Sequence, residues 1–113
     1  MMDCSAPYSY PFIPGTRLLE IGGGSQPEVR PNLDVRRIPG VDIVWDLESF
    51  PYPVADNLCD GILGRFVAEH LSWKVVDAFC AEIWRITAPG GVVVLVVPNT
   101  LAQCRRVVGA GEF

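Results

Sequence analysis

One lysine, Lys74, and one histidine, His70, occur in 113 residues, and acidic residues outnumber basic ones, 13 to 9. A nucleic-acid-binding surface should be basic, so nucleic acid is not an expected partner, and Arg36–Arg37 and Arg105–Arg106 read as isolated, solvated pairs. The four cysteines (Cys4, Cys59, Cys80, Cys104) stand far apart with no C-x-x-C. With a single histidine they make no zinc set, and no metal is expected. Their spacing leaves disulfides open, free thiols in a reducing cytosol being the simpler reading. The N-terminus has neither a basic start nor a continuous apolar stretch, so it does not read as a signal peptide. The longest apolar run, Val92–Val97, is too short to span a bilayer. A soluble, cytoplasmic protein is expected.

Half of the residues are hydrophobic and 19% are charged, ample material for the core of one domain. Residues 1–16 read as an irregular arm, punctuated by Pro7, Pro11 and Pro14, with Tyr8, Tyr10 and Phe12 available to pin it down. Residues 17–113 read as a single domain. "RLLEI" (17–21), "NLDV" (32–35), "DIVWDL" (42–47) and "CDGILGRF" (59–66) read as strands, and "VVVLVV" (92–97) as a central-type strand buried on both faces. One helix is predicted, from about Ser72 to Thr87. Ser72 is its N-cap, and Val75, Val76, Phe79, Ile83 and Ile86 form its apolar face. Ala88-Pro89-Gly90-Gly91 ends it. Buried strands with an interspersed helix predict an α/β fold with a mainly parallel sheet.

The stretch "EIGGGSQPEVRPNLDV" (20–35) carries the functional signal. It is not a dinucleotide fingerprint. Pro27 stands at the third glycine position, Asp34 follows after about ten residues and not the usual ~20, and Pro27 and Pro31 forbid the intervening helix. No G-K-[ST] occurs, which removes the P-loop reading. Seven residues (25–31) reach roughly 23 Å when extended, enough to return to the start of a parallel neighbour without a helix. What remains is a glycine turn and an Asp at the ends of adjacent strands, where open α/β sheets bind ligands. That suits a nucleoside without phosphates, with Asp34 accepting from ribose hydroxyls and Asp46 from an adenine amino group.

These stretches, in this order, resemble a class I S-adenosylmethionine-dependent methyltransferase of the type 11-like subgroup, in which a short proline-containing loop replaces the first helix. The matching pieces are "LLEIGGG", "NLDV", "VDIVWDLESFPYPVADNLCDGI", "AEHLSW" and "EIWRITAPGGVVVLVVPN", covering residues 17–99. The resemblance implies a Rossmann-like sheet of strand order 3-2-1-4-5 and S-adenosylmethionine as cofactor. It also implies that Glu20, Gly22, Gly23 and Gly24 line the methionine part, Asp34 holds the ribose, and Asp46 and Leu47 flank the adenine. Arg65 and Phe66 would then stand near the sulfonium, and an unidentified methyl acceptor is the partner.

His70 is the natural general-base candidate, but an "EHL" at a helix entrance reads more readily as structural, its imidazole bonded to backbone. Trp45, Trp73 and Trp84 read as packing, and Asp56–Asn57 as a plain turn. Phe66 departs from relatives that carry a polar residue there. Relatives continue past the fifth strand with helices and an antiparallel strand pair, which "TLAQCRRVVGAGEF" does not supply. The fifth strand is therefore expected on an edge, and either a homodimer through that edge or a shortened form of a longer enzyme is expected. The alternative function is a non-catalytic module of this fold that binds the nucleoside or a partner chain.

Overall fold

The computed structural model describes residues 10–13 and 15–98. Five strands, β1 (Leu18–Ile21), β2 (Asn32–Asp34), β3 (Ile43–Val44), β4 (Cys59–Arg65) and β5 (Thr87–Val96), and the helix α1 (Val76–Ile86) follow in the chain. The sheet order is β3-β2-β1-β4-β5, and every neighbouring pair is parallel. This is the 3-2-1-4-5 order that the sequence implies for a Rossmann-like α/β fold.

Alternation along the strands sorts the residues onto two faces. Leu19 stands beside Ile62 and Ile21 beside Leu33 in register, and these four pack with Phe79, Ile83 and Ile86 of α1 in the core. Trp45, Leu47, Phe50 and Val54, from the long connection between β3 and β4, close over the same cluster. Each fully buried Leu or Ile contributes about 1.5–3 kcal/mol, so this face carries most of the stability. The opposite face is mixed: Glu20 stands beside Asn32 and Leu63, and Leu18 beside Gly61. Phe12 of the arm lies against Gly61, where any Cβ would meet its ring, and stacks with Tyr10 at 6.0 Å. Tyr8 lies outside the described residues.

The helix is shorter than expected. Ser72 does cap, but it caps a 3₁₀ turn (Trp73–Val75), its hydroxyl accepting from the Lys74 amide. Three residues per turn put Val75 and Val76 out of phase with the rest, and Val76 is exposed. The buried stripe is Phe79, Glu82, Ile83 and Ile86. Trp73 and Trp84, expected to pack, are exposed at 81% and 83%, whereas Trp45 does pack against the core.

Pro89-Gly90-Gly91 does not end the helix. Thr87 does, turning extended and donating its hydroxyl to the Ile83 carbonyl at 2.6 Å. The Pro-Gly-Gly run lies inside β5 as a bulge, since Thr87 pairs with Cys59 but Val92 already pairs with Gly61. A proline cannot donate to the ladder, and Gly90 takes φ +79, so the extra residues loop out there. Beyond the bulge β5 is not buried on both faces: Val92, Val93 and Leu95 are all exposed. β3 keeps only two residues, because the chain turns away after Val44 to cover the core. Cys59 is a buried free thiol and Cys80 an exposed one; Cys4 and Cys104 lie outside the described residues.

Candidate functional site

β1 ends in the glycine turn. Gly22 and Gly24 take φ +71 and +62, the left-handed region open to glycine, and a Cβ on Gly22 would run into Val67. The three amide donors of the turn are all engaged within the protein. Gly22 donates to the Leu33 carbonyl at 2.7 Å. Gly23 donates to Asn32 Oδ1 and Gly24 to Asp34 Oδ2, both at 2.9 Å. A phosphate cradle needs such amides aimed at the ligand. Here they tie β1 to β2.

Asn32, which sequence reading treated only as a strand residue, is fully buried and clamps the turn. Its Nδ2 donates to the carbonyls of Gly24 and Gly40, each at 2.9 Å.

Glu20 explains how the proline loop stands in for a helix. Its carboxylate is fully buried. Oε1 accepts from the amides of Glu28 and Val29 at 2.6 and 3.1 Å, and Oε2 accepts from Arg65 Nε and Nη2 at 3.1 and 2.9 Å. Arg65 Nη2 also donates to the Gln26 carbonyl. One carboxylate thus gathers the loop backbone that, without a helix, has no internal partners.

On the other side of the turn a cleft of about 400 Å³ opens, lined among others by Gly22, Asp46, Leu47, Phe66, Val67 and His70. Tyr52 Oη donates to the Leu47 carbonyl at 2.7 Å, and Glu48 Oε2 accepts from the Ser72 amide at 2.9 Å. These bonds fix the Asp46–Glu48 wall against the core and against the segment before α1. Asp46 Oδ1 accepts from the Glu48 amide in a tight turn, and the residue is exposed. Phe66 takes φ +57, uncommon for a bulky side chain, with its amide donating to the Val96 carbonyl at 2.6 Å. The outlier turns the chain at the end of β4, so that Phe66 lines the cleft while Val67 packs into the core.

Asp34 ends β2 almost fully buried. Burial by itself would raise its carboxyl, but the Arg36 amide and guanidinium and the Gly24 amide outweigh that and hold it below the usual carboxylate range. It is an ionised acceptor beside the glycine turn.

The expected site residues are thus divided. Gly22, Asp46, Leu47, Phe66 and His70 line the cleft, and Asp34 lies next to it under Arg36. Glu20 and Arg65 pair with each other away from it, and Gly23 backs onto Asn32 and Glu20. Gly24 sits at the margin, covered by Arg36. His70 is not a buried structural histidine: its side chain is 77% exposed, 3.8 Å from Glu69. Arg36 is not merely solvated, since it pairs with Asp34.

Sequence reading missed two further residues besides Asn32. Glu82 is buried on the apolar stripe of α1, accepting from the Tyr52 amide and from Arg85. Arg85 in turn holds Asp56 and the Tyr52 carbonyl, so Asp56 is more than a plain turn residue. A carboxylate between Phe79 and Ile86 at helical spacing, with an arginine three residues on, was the available signal. No group of metal-ligating side chains occurs among the described residues.

An open parallel sheet with its cleft at the carboxyl ends of β1, β2 and β4, and an acidic residue closing β2, defines an α/β protein of the Rossmann-like class. Residues 19–95, more than half of the chain, match the family described as "Methyltransferase domain", and the chain belongs to that family, the class I S-adenosylmethionine-dependent methyltransferases. No curated protein and no solved structure matches the chain. Among the described residues no helix is long and apolar enough to cross a membrane.

Proposed function

We propose that the cleft binds S-adenosylmethionine and that the protein transfers its methyl group to an acceptor. The observation that carries this reading is the pairing of an ionised Asp34 with a glycine turn whose amides are already engaged. The site offers carboxylate acceptors and close backbone approach, and the turn offers no phosphate cradle. A ribose diol and an adenine amino group need acceptors, and the cofactor has no phosphate. The donor set therefore fits. Asp34 would hold the ribose hydroxyls, Asp46 the adenine amino group, and Leu47 and Phe66 the apolar surfaces. When bound, the cofactor supplies a methyl group activated by its sulfonium. The chain's own contribution is binding and alignment, because displacement at a methyl carbon depends chiefly on in-line positioning. Phe66 and His70 are exposed on the cleft.

The cleft is open, and Phe12 of the aromatic arm packs at Gly61 and does not fill it. That counts against a module whose cleft the described part of the arm fills, and it suits a catalytic protein and a nucleoside-binding module alike. Calorimetric titration with S-adenosylhomocysteine tests the reading. Saturable binding is expected, with a loss of at least about tenfold in Asp34→Ala, the worth of a hydrogen bond to a charged group. No binding at millimolar ligand would overturn it.

A further inference from the structure

The carboxylate offered to the ribose already has an occupant. Arg36 Nε lies 3.4 Å from Asp34 Oδ1 and Arg36 Nη2 3.4 Å from Asp34 Oδ2, a two-pronged approach to both oxygens. The same guanidinium lies over the glycine turn, where a Cβ on Gly24 would sit 2.5 Å from Nη2. Arg36 also lines the cleft. A guanidinium fork and a vicinal diol present the same pattern to a carboxylate, two adjacent donors matched to two oxygens. They cannot share it.

We infer that Arg36 is an internal competitor for the diol subsite, covering Asp34 in the free protein and leaving it when a ribose binds. This inference rests on the nucleoside reading of the cleft and adds a residue that sets its affinity. The geometry favours a displaceable cover. Both side-chain contacts are long, the arginine side chain is 59% exposed, and Asp34 keeps the amides of Gly24 and Arg36 as partners when the guanidinium leaves. Asp34 itself is buried, but the guanidinium approaches it from solvent with two long contacts, which keeps the pair weak and leaves it open to screening by salt. Eviction therefore lowers affinity for a diol ligand by about two- to fivefold without abolishing it.

Probes without net charge, two of them uncharged nucleosides, separate this from a general charge effect. Adenosine, S-adenosylhomocysteine and 2′,3′-dideoxyadenosine are titrated into the full chain and into Arg36→Ala and Arg36→Gln. About two- to fivefold tighter binding of the two diol ligands to Arg36→Ala is expected, with a smaller gain in Arg36→Gln and none for the dideoxy compound. Raising salt from 50 to 500 mM should tighten diol binding to the unsubstituted chain and leave Arg36→Ala unchanged. Equal or weaker adenosine binding in Arg36→Ala overturns the competitor role while leaving the nucleoside reading intact. A gain of the same size for the dideoxy ligand does likewise. No binding of either diol ligand to any of the three chains at millimolar concentration overturns both.

Discussion

The glycine-turn side of the sheet has no α-helix over it among the described residues and the β5 side is only partly covered by α1, and the two deal with the open surface in opposite ways. Beside β1 and β2 the cover is a proline loop held by polar bonds: Glu20 gathers two loop amides and Arg65, and Asn32 and Asp34 bind the turn. No buried side-chain polar atom among the described residues lacks a partner. Beside β5 the surface is apolar and open. Phe79, Ile83, Trp84, Val93 and Leu95 line a groove of about 360 Å³, with Trp84 83% and Leu95 41% exposed. Polar satisfaction is directional, so it can hold an irregular loop in one shape next to a ligand cleft. Apolar area is not directional and holds a shape only when something packs on it.

The largest test of the contrast is Glu20→Ala. It takes a fully buried carboxylate from Arg65, which keeps Glu28 and the Gln26 carbonyl, and from two part-buried loop amides, and losing these partners together costs about 3 kcal/mol. Chemical denaturation should show a shift of that size or no folded baseline. A change under 1 kcal/mol would mean that the loop does not depend on Glu20. Glu82→Ala comes next, leaving the Tyr52 amide without its acceptor and costing about 1–3 kcal/mol in the same measurement.

Acid should follow. The Arg85 guanidinium beside Glu82, against the opposing effect of burial, holds its carboxyl below the usual range, and Asp34 is also held low. Carboxyls depressed in the folded state contribute stability that is fully present above their unfolded values, about 4, and that is lost as pH falls through the folded values. Urea midpoints should therefore be level from pH 7 to 5 and drop below 4, with a shallower drop in Glu82→Gln. A level midpoint down to pH 3 would remove both carboxylates from the stability balance. The smallest effect belongs to the open side: Val93→Ser should change stability by no more than about 0.5 kcal/mol, as at an ordinary surface position. A loss above 2 kcal/mol would show that β5 is covered in solution.

Much of this was legible in the sequence because it depends on local chemistry. Three glycines behind "LLEI", two prolines that forbid a helix, and Asp34 within an apolar run led to the turn and the helix-free return, and the family resemblance of these stretches supplied the strand order. The roles within the turn were not legible. Glu20 stands two residues from Gly22 and could have faced the cleft. Only the register that sets it beside Asn32 and Leu63 sends its carboxylate to the other face. Asn32 and Glu82 were missed for a related reason: a buried polar residue is identified by its partners, and apart from Arg85 beside Glu82 theirs lie 8 to 30 residues away. Pro89-Gly90-Gly91 was misread because a helix stop and a strand bulge need the same residues, and only the pairing with β4 distinguishes them.

By itself, then, the sequence determined the α/β class with a mainly parallel sheet, the glycine turn without a helix, and Asp34 and Asp46 as its acidic neighbours. These follow from hydrophobic period, backbone permissions and charge, which act within a few residues. Tertiary structure decided which carboxylates remain for a ligand. It engaged Glu20 and Glu82 in the scaffold, left Asp46 on the cleft, and laid Arg36 across Asp34. A carboxylate's role is set by the donors that reach it first, and those donors come from chain distant in sequence.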